Sequence, residues 1–409
     1  MPVEYRPVTE EEWPDFLDAD RLSFSIRPGD DEYAAERRAW PIERSVAAFE
    51  DGRIVGTAGA YPFELTLPGC VSVPAAGVTW VGVLATHRRR GVLTGMMRYQ
   101  LDDVRARGES VAVLLASESI IYGRFGYGLA TTQVDLELPR EHGGMAKAVD
   151  PPGRLRLVDD ATAEKVLPDV HERVRRQQPG DLSRTEAWWA AFFRSTRKGG
   201  SFGPRLTVLY EGIDGEVEGY AYYRVRADFA TPLSSDWTVL VQGMGALTFD
   251  AYVALWSYLR DVDLTSRVVL PFRPPDEAFR FLLADPRRLA VTRSTDYLWC
   301  RIVDVGAALS QRRYEVADSL VLHVRDPFCP WNDGRWRVEG GPDRASCSRT
   351  DDLADITLDA GELGSIFLGG TRLSTLAAAQ RVEEHTPGAM VRADRFFATA
   401  RQPWCQTFF

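Results

Sequence analysis

The sequence predicts a mixed α/β (α+β) fold, and three observations carry that prediction. Residues 78–84 (Val-Thr-Trp-Val-Gly-Val-Leu) form an apolar, β-rich run, followed by a helical pattern and a second apolar run at 111–116, which together read as a strand–helix–strand unit. Ahead of that unit, short apolar segments alternate with tight-turn signals, the mark of an antiparallel meander. Behind it, the order strand, strand, strand, helix, strand recurs once before the pattern changes to short strands and short helices. Antiparallel strands feeding a strand–helix–strand core make a mixed layer architecture.

Taken in order, residues 9–12 (Thr-Glu-Glu-Glu) form a capping-box pattern ahead of an amphipathic helix carrying Trp13, Phe16 and Leu17. A charged, proline-containing loop from 27 to 41 holds Tyr33 and Trp40. Residues 45–49 lead into the Asp51-Gly52 hairpin signal, 53–60 return, 63–67 continue, and Pro68-Gly69 turns the chain toward the central strand. In the helix beyond it, Val92, Leu93, Met96, Met97, Leu101 and Val104 share one side at helical spacing. Gly108 closes that helix, because glycine adopts the left-handed conformation that ends helices. Residues 141–153 read as a linker, and the predicted domains span 1–145, 150–295 and 296–409. In the second domain 159–177 reads as helix, 206–210 and 219–225 pair around Asp214-Gly215, 239–247 is a strand, 252–261 a helix and 268–270 a strand. In the third, short strands at 316–324, 334–339, 345–349 and 354–358 precede a helix from Asp359 through 367, and Gly369-Gly370 separates it from a second helix at 373–382.

Composition narrows the function classes. A chain of 409 residues suits two to four domains. Its 45% hydrophobic and 26% charged content is ordinary for a soluble globular protein. A net charge of -9 argues against nucleic acid as the main partner and favours cationic substrates. The polar, acidic N-terminus lacks the regions of a signal peptide, and no stretch reaches the roughly 18 apolar residues of a membrane span, so a cytoplasmic location is expected. Cys70, Cys300, Cys329, Cys347 and Cys405 are widely spaced without a C-x-x-C pair, and the five histidines are scattered. Free thiols and no metal site are expected.

The chemistry concentrates between the central strand and its helix. His87-Arg88-Arg89-Arg90-Gly91 is a tight basic turn at a helix start. A helix N-terminus presents unpaired N–H groups and about half a positive charge, arginines add bidentate donors, and glycine lets backbone approach an anion. Anion binding and a solvated basic turn both remain open on these grounds. The dinucleotide and P-loop glycine fingerprints are absent.

Arg88-Arg89-Arg90-Gly91-Val92-Leu93, between strand and helix, resembles the R-x-x-G-x-(G/A) pyrophosphate loop of the GNAT N-acetyltransferases, with Leu93 departing at the last position. Ile121-Tyr122-Gly123-Arg124-Phe125-Gly126-Tyr127 resembles the tyrosine segment that closes their coenzyme A site. The longer string from Trp80 to Tyr127 is similar to the Eis (enhanced intracellular survival) acetyltransferases in particular. That resemblance implies tandem GNAT domains, the second degenerate because Thr248-Phe249-Asp250 replaces the basic loop, followed by a sterol-carrier-protein-like α/β domain. It implies acetyl-CoA as co-substrate, held by Val81, Gly82, Val83, Arg88, Arg89, Gly91, Val92, Leu93, Thr94 and Ser117. It also implies Tyr122 as general acid, Trp80, Phe24 and Trp40 as acceptor-pocket walls, and a homohexamer. For Tyr122, Trp80, Phe24 and Trp40 a purely core-packing role stays open; Glu118 is unassigned, and Arg90 reads equally as solvent-facing.

The tail, Gln402 to Phe409, places three aromatic residues in its last six positions, a poor composition for a fraying terminus. Burial of each ring could contribute roughly 1.5–3 kcal/mol. In the Eis family the C-terminal carboxylate enters the first domain's active site, so the resemblance implies Phe409 there as general base. The implied activity is acetyl transfer to amines of cationic small molecules: aminoglycosides, polyamines or lysine side chains. The alternatives are a peptide or protein lysine acetyltransferase, and a non-catalytic acyl-CoA or lipid-binding protein built on the last domain.

Overall fold

The computed structural model describes residues 3–26, 37, 40–141, 143–195, 202–227 and 236–409. Tyr33, expected near the acceptor pocket, lies outside the described residues. The chain divides into two compact units, one of residues 1–131, 179–183 and 296–409, the other of 132–178 and 184–295. Among the described residues the strands form three sheets.

The first unit carries β1 (Glu4–Arg6), β2 (Ser45–Glu50), β3 (Arg53–Leu67), β4 (Val71–Val83), β5 (Val111–Leu115) and β6 (Gly128–Leu129). Its sheet runs β1-β2-β3-β4-β5, then the strand Leu298–Ile302, then β6. Only β4 and β5 pair in parallel within this meander-led sheet, bridged by a helix as the strand–helix–strand pattern requires. The helices are α1 (Trp13–Ser23) and α2 (Val92–Ala106). Val92, Met96, Met97, Leu101 and Val104 of α2 are buried, as their spacing predicts, against Val46, Val55, Val78 and Leu114 of the sheet.

Local differences have physical causes. Residues 53–60 and 63–67 are one strand rather than two, with Pro62 inside it. Strand β2 pairs with β3 only as far as Ser45↔Gly59, so proline's missing N–H interrupts no ladder bond on that side. The capping box is half formed: Glu12 accepts from the Thr9 N–H at 2.9 Å and from both Arg6 Nη atoms, and it caps α1 without a side-chain bond to the helix.

Residues 318–384 build a five-stranded sheet in the order Ala345–Arg349, Gly334–Gly340, Asp318–Arg325, Ile356–Asp359, Val382–Glu384. The second predicted helix stops at Ala378, and Val382–Glu384 becomes a strand paired to Ile356–Asp359. Helix Ala360–Ile366 lies against the first sheet, where a Cβ on Gly128 would meet the Gly361 carbonyl at 1.8 Å and one on Gly364 the Cys300 carbonyl at 2.2 Å. These two glycines let backbone rest on backbone.

In the other unit, the sheet runs Ala290–Asp296, Thr132–Pro139, Thr265–Arg273, Trp237–Ala246, Val217–Arg226, Leu206–Glu211, Arg154–Val158. Helices Asp160–Arg175 and Phe249–Arg260 sit where the pattern put them, capped by Asp159 and Thr248. No helix among the described residues is long and apolar enough to cross a membrane.

Buried thiols and phenols make stability fall at alkaline pH. Burial holds Cys347 and Tyr122 at about 12 and raises Tyr127, Tyr314 and Cys300 above their ordinary 10.0 or 9.0. Their contribution is complete below the ordinary values and is lost as pH rises through the raised ones, because the unfolded chain releases these protons first. The urea midpoint should therefore drop between about pH 8 and about pH 10.5. A midpoint constant over that range would contradict the burial of these groups.

Candidate active site

The site begins with a fault in the central strand. Strand β4 pairs in parallel with β5 from Ala75↔Val111 to Val78↔Leu114 and then leaves that register. On its other side it stays with β3 as far as Gly56↔Val83, but the register slips, Thr57 facing Gly82 and Gly59 facing Thr79. Two residues, Trp80 and Val81, thus oppose Ala58, a bulge that bends the strand. Trp80 has φ 54°, a conformation costing on the order of 1–3 kcal/mol for a non-glycine residue. Its surroundings hold it: Thr57 Oγ1 donates to the Trp80 carbonyl at 3.1 Å, and the indole stacks on Trp40 with centroids 4.2 Å apart. Residues 79–83 are thereby opened toward the β5 side, with Val81 and Val83 half-buried and Gly82 buried.

The end of α1 closes on this strand. A Cβ at Gly82 would lie 2.0 Å from Ser23 Oγ, so only glycine admits the helix there. Arg88 fastens the junction, donating to the Ser23 carbonyl at 3.1 Å and the Val83 carbonyl at 3.3 Å. Phe24, just beyond, is 45% exposed.

The basic turn leads into α2 through left-handed conformations at Arg89 (φ 64°) and Gly91 (φ 82°). Gly91 is the N-cap, no side chain caps the helix, its first turn carries no acidic residue, and a Cβ at Gly91 would meet nothing within 4 Å. Arg88, Arg89, Gly91 and Thr94 are exposed, Leu93 half-buried and Val92 in the core. Open amide groups, a positive helix end and exposed guanidinium groups fit a pyrophosphate. Arg90 does not extend freely into solvent: with His87 it pairs with Glu50, at 2.5 and 3.0 Å. The corresponding helix of the second unit has the opposite character, its N-terminus capped by Thr248 Oγ1 at 3.2 Å with Asp250 in the first turn, which disfavours phosphate.

Past β5, Ser117 and Glu118 are exposed, and a short turn, Tyr122–Phe125, carries Tyr122, which is 7% exposed. Burial first and Glu118 second push its phenol up to about 12, so the hydroxyl remains a proton donor at neutral pH. Tyr127 meets its ring edge-on, centroids 5.9 Å apart.

The C-terminus reaches the same strand. Phe409 packs edge-to-face on Phe63 at 5.1 Å, and a Cβ at Gly77 would lie 3.3 Å from Phe409 Cε2. Aromatic contacts continue from Phe63 to Tyr61 (5.5 Å), Tyr61 to Trp40 (5.1 Å), and Trp40 to Trp80 (4.2 Å), with Trp13 behind Trp80 at 5.7 Å. One row of rings therefore joins three of the predicted pocket residues, Trp40, Trp80 and Phe409. Phe24 and Ser117 stand apart from that row. Sequence reasoning passed over Tyr61 and Phe63, whose i, i+2 spacing puts them on one face of β3, and Gly77, whose role depends on a tail more than 300 residues away.

Comparison with known proteins agrees with this geometry. Residues 4–130 and 180–302 each match an acetyltransferase (GNAT) domain family, and 305–406 match a sterol carrier protein domain. An uncharacterised N-acetyltransferase of Streptomyces avermitilis is 42% identical over 99% of both chains. The N-acetyltransferase Eis of Mycobacterium tuberculosis is 35% identical over 407 residues, 96% of each chain. The chain belongs to the Eis family of GNAT N-acetyltransferases. Eis1 of Mycobacterium abscessus has the same fold, with a TM-score of 0.90 at 33% identity over 99% of this chain and 100% of that one. As an Eis-family member the chain is an acetyltransferase enzyme, with two GNAT domains followed by a sterol carrier protein domain. The non-catalytic binding-module alternative falls away.

Proposed function

We propose that this chain transfers the acetyl group of acetyl-CoA to primary amines of cationic small molecules, with aminoglycoside-like compounds, polyamines and lysine side chains as the acceptor classes. The observation that carries the reading is the row of rings from Trp13 through Trp80 and Trp40 to Phe409, because it brings the C-terminal residue to the strand whose bulge opens the fold. The acidic net charge of -9 favours a cationic acceptor. In this reading residues 1–145 are the catalytic domain, 150–295 a non-binding repeat and 296–409 the domain that delivers the tail. A homohexamer is carried over from the family resemblance.

The roles follow from chemical need. The pyrophosphate of acetyl-CoA is held by Arg88, Arg89 and the amides of residues 91–94, and Ser117 borders its arm. An ammonium acceptor must lose a proton before it can attack, and the Phe409 carboxylate takes it, directly or through water. Attack on the thioester carbonyl develops an oxyanion, which the amides of Val81, Gly82 and Val83 stabilise. Collapse expels a thiolate, to which Tyr122 gives its proton, and the proton left on the attacking nitrogen returns to Tyr122 through water as the amide forms. Trp80, Trp40 and Phe24 wall the acceptor side. No covalent enzyme intermediate is needed.

The test is acetyl-CoA turnover against aminoglycosides, polyamines and lysine peptides, comparing the native chain with one extended by several residues after Phe409. Turnover on cationic small amines, lost by about 10²–10⁴-fold on extension while acetyl-CoA still binds, is the expected result. Turnover confined to peptide lysines would favour the lysine-acetyltransferase reading. Activity indifferent to the extension would remove Phe409 as base.

A further inference from the structure

Sequence reading gave no role to residues 179–183, Pro-Gly-Asp-Leu-Ser, which lie between the two longest helices of the second repeat's first half. In the fold this segment belongs to the first unit. It lies along the edge of β3 that β2 leaves free beyond Gly59. Thr66 N–H donates to the Asp181 carbonyl at 3.0 Å, Gly180 N–H to the Thr66 carbonyl at 2.8 Å and Ser183 N–H to the Glu64 carbonyl at 2.9 Å, with Leu65 opposite Leu182. It is a short extended segment bridged to the edge of the strand that carries Tyr61 and Phe63.

The other side of that segment holds the tail. Trp404 N–H donates to the Pro179 carbonyl at 2.9 Å. Gln406 donates to both oxygens of Asp181, its backbone N–H at 3.3 Å and its Nε2 at 3.1 Å. A Cβ at Gly180 (φ +92°) would sit 3.1 Å from the Trp404 nitrogen, so glycine is what allows this approach. From the start of the segment 296–409 that ends in the tail, the Tyr297 hydroxyl donates to the Thr407 carbonyl at 3.1 Å. Asp181, Cys405 and Thr407 are fully buried, whereas Phe408 is 68% exposed. The tail is therefore buried as far as Thr407, Phe408 faces outward, and Phe409 packs back on Phe63.

We infer that Asp181 and Tyr297 are positioning residues that clamp the tail and so place the Phe409 carboxylate, an inference that rests on the proposed role of that carboxylate as base. With Thr407 pinned, two residues separate the anchor from the carboxylate, a reach of roughly 7 Å. Without the anchors at 404, 406 and 407 the same carboxylate would hang on a free tail of seven or more residues, about 23 Å of extended chain. A base must lie within hydrogen-bond reach of the proton it takes, so the clamp converts a mobile terminus into a fixed catalytic group. The second repeat, which has lost the features of a phosphate site, would then serve the reaction by supplying the segment that grips the tail.

The experiment compares the native full chain with Tyr297→Phe, Asp181→Ala and Asp181→Asn, and with the chain extended beyond Phe409. Two readouts are taken: steady-state constants with a polyamine acceptor, and the rate at which a carboxypeptidase releases phenylalanine from the C-terminus. Tyr297→Phe keeps the ring and removes one donor, so it guards against a variant that simply fails to fold. The expected result is a kcat reduced roughly 10- to 100-fold in Tyr297→Phe and Asp181→Ala, an unchanged KM for acetyl-CoA, faster phenylalanine release, and partial rescue in Asp181→Asn, which keeps one acceptor oxygen for the Gln406 N–H. Native kcat and native resistance to carboxypeptidase in both Tyr297→Phe and Asp181→Ala would overturn the clamp. If the extended chain loses turnover while the clamp variants keep it, the carboxylate's role stands and the clamp falls. If the extended chain keeps turnover, the base assignment fails, and with it the catalytic purpose of the clamp, whatever the protease reports.

Discussion

Tyr122→Phe is expected to lower kcat by about 10²–10⁴-fold with little change in the KM for acetyl-CoA. The substitution removes one oxygen from a ring that stays packed against Tyr127, with centroids 5.9 Å apart in the native chain, so the surrounding core has no cavity to absorb. The thermal midpoint should therefore move little while the chemical step suffers. The native phenol is held at about 12 by burial and by Glu118, so it stays protonated across the whole neutral range. It follows that Tyr122 produces no alkaline fall in kcat until pH approaches about 12, and any fall nearer neutrality belongs to another group. Steady-state kinetics of the two proteins with one polyamine acceptor, from about pH 6 to about pH 10, checks both statements. A variant that kept its kcat would leave the thiolate to be protonated by solvent and return Tyr122 to a packing role.

The parts legible in the sequence are those where local chemistry and tertiary context agree. Val92, Met96, Met97, Leu101 and Val104 repeat at helical spacing because α2 lies on a sheet, and all five are buried. The helix start at Gly91 was legible because the arginine–glycine turn falls directly between an apolar strand run and a helical pattern. Other features depend on partners far along the chain. Arg90 reads as a solvent-facing charge until Glu50 is brought beside it. The positive φ of Trp80 is stabilised by Trp40 and Thr57, and no propensity announces it. Residues 179–183 carry proline, glycine and aspartate, which signal a turn; that they bridge to β3 depends on the end of β2, which leaves that edge open beyond Gly59. Strand Leu298–Ile302 is a similar case, joining the sheet of β5 across nearly 190 residues. Burial pattern alone does not say which of several sheets an apolar strand will join.

Asp326→Ala is expected to cost about 3–5 kcal/mol of stability. Arg301 is fully buried on the strand Leu298–Ile302, and its Nη2 donates to both carboxylate oxygens of Asp326, at 2.8 and 2.7 Å. The same carboxylate accepts from the Cys329 N–H at 2.9 Å and Asn332 Nδ2 at 3.1 Å. Truncation therefore strands a guanidinium in a dry core and takes the acceptor from the Cys329 N–H, while Asn332 Nδ2 keeps the Ile302 and Val303 carbonyls; the pair itself adds little relative to an apolar replacement. Arg301→Met combined with Asp326→Leu should recover part of the loss, an ordering opposite to that of an exposed ion pair. Urea midpoints at unchanged slope measure both variants, and a single variant within about 1 kcal/mol of native would contradict the dry environment assigned to Arg301. The pair also bears on catalysis through geometry: a Cβ at Gly126 (φ +81°) would lie 2.6 Å from Arg301 Nη1, so the turn that carries Tyr122 rests on this guanidinium. Loss of its counter-ion should loosen that turn, and kcat should fall together with stability in Asp326→Ala but not in variants destabilised elsewhere in the sheet.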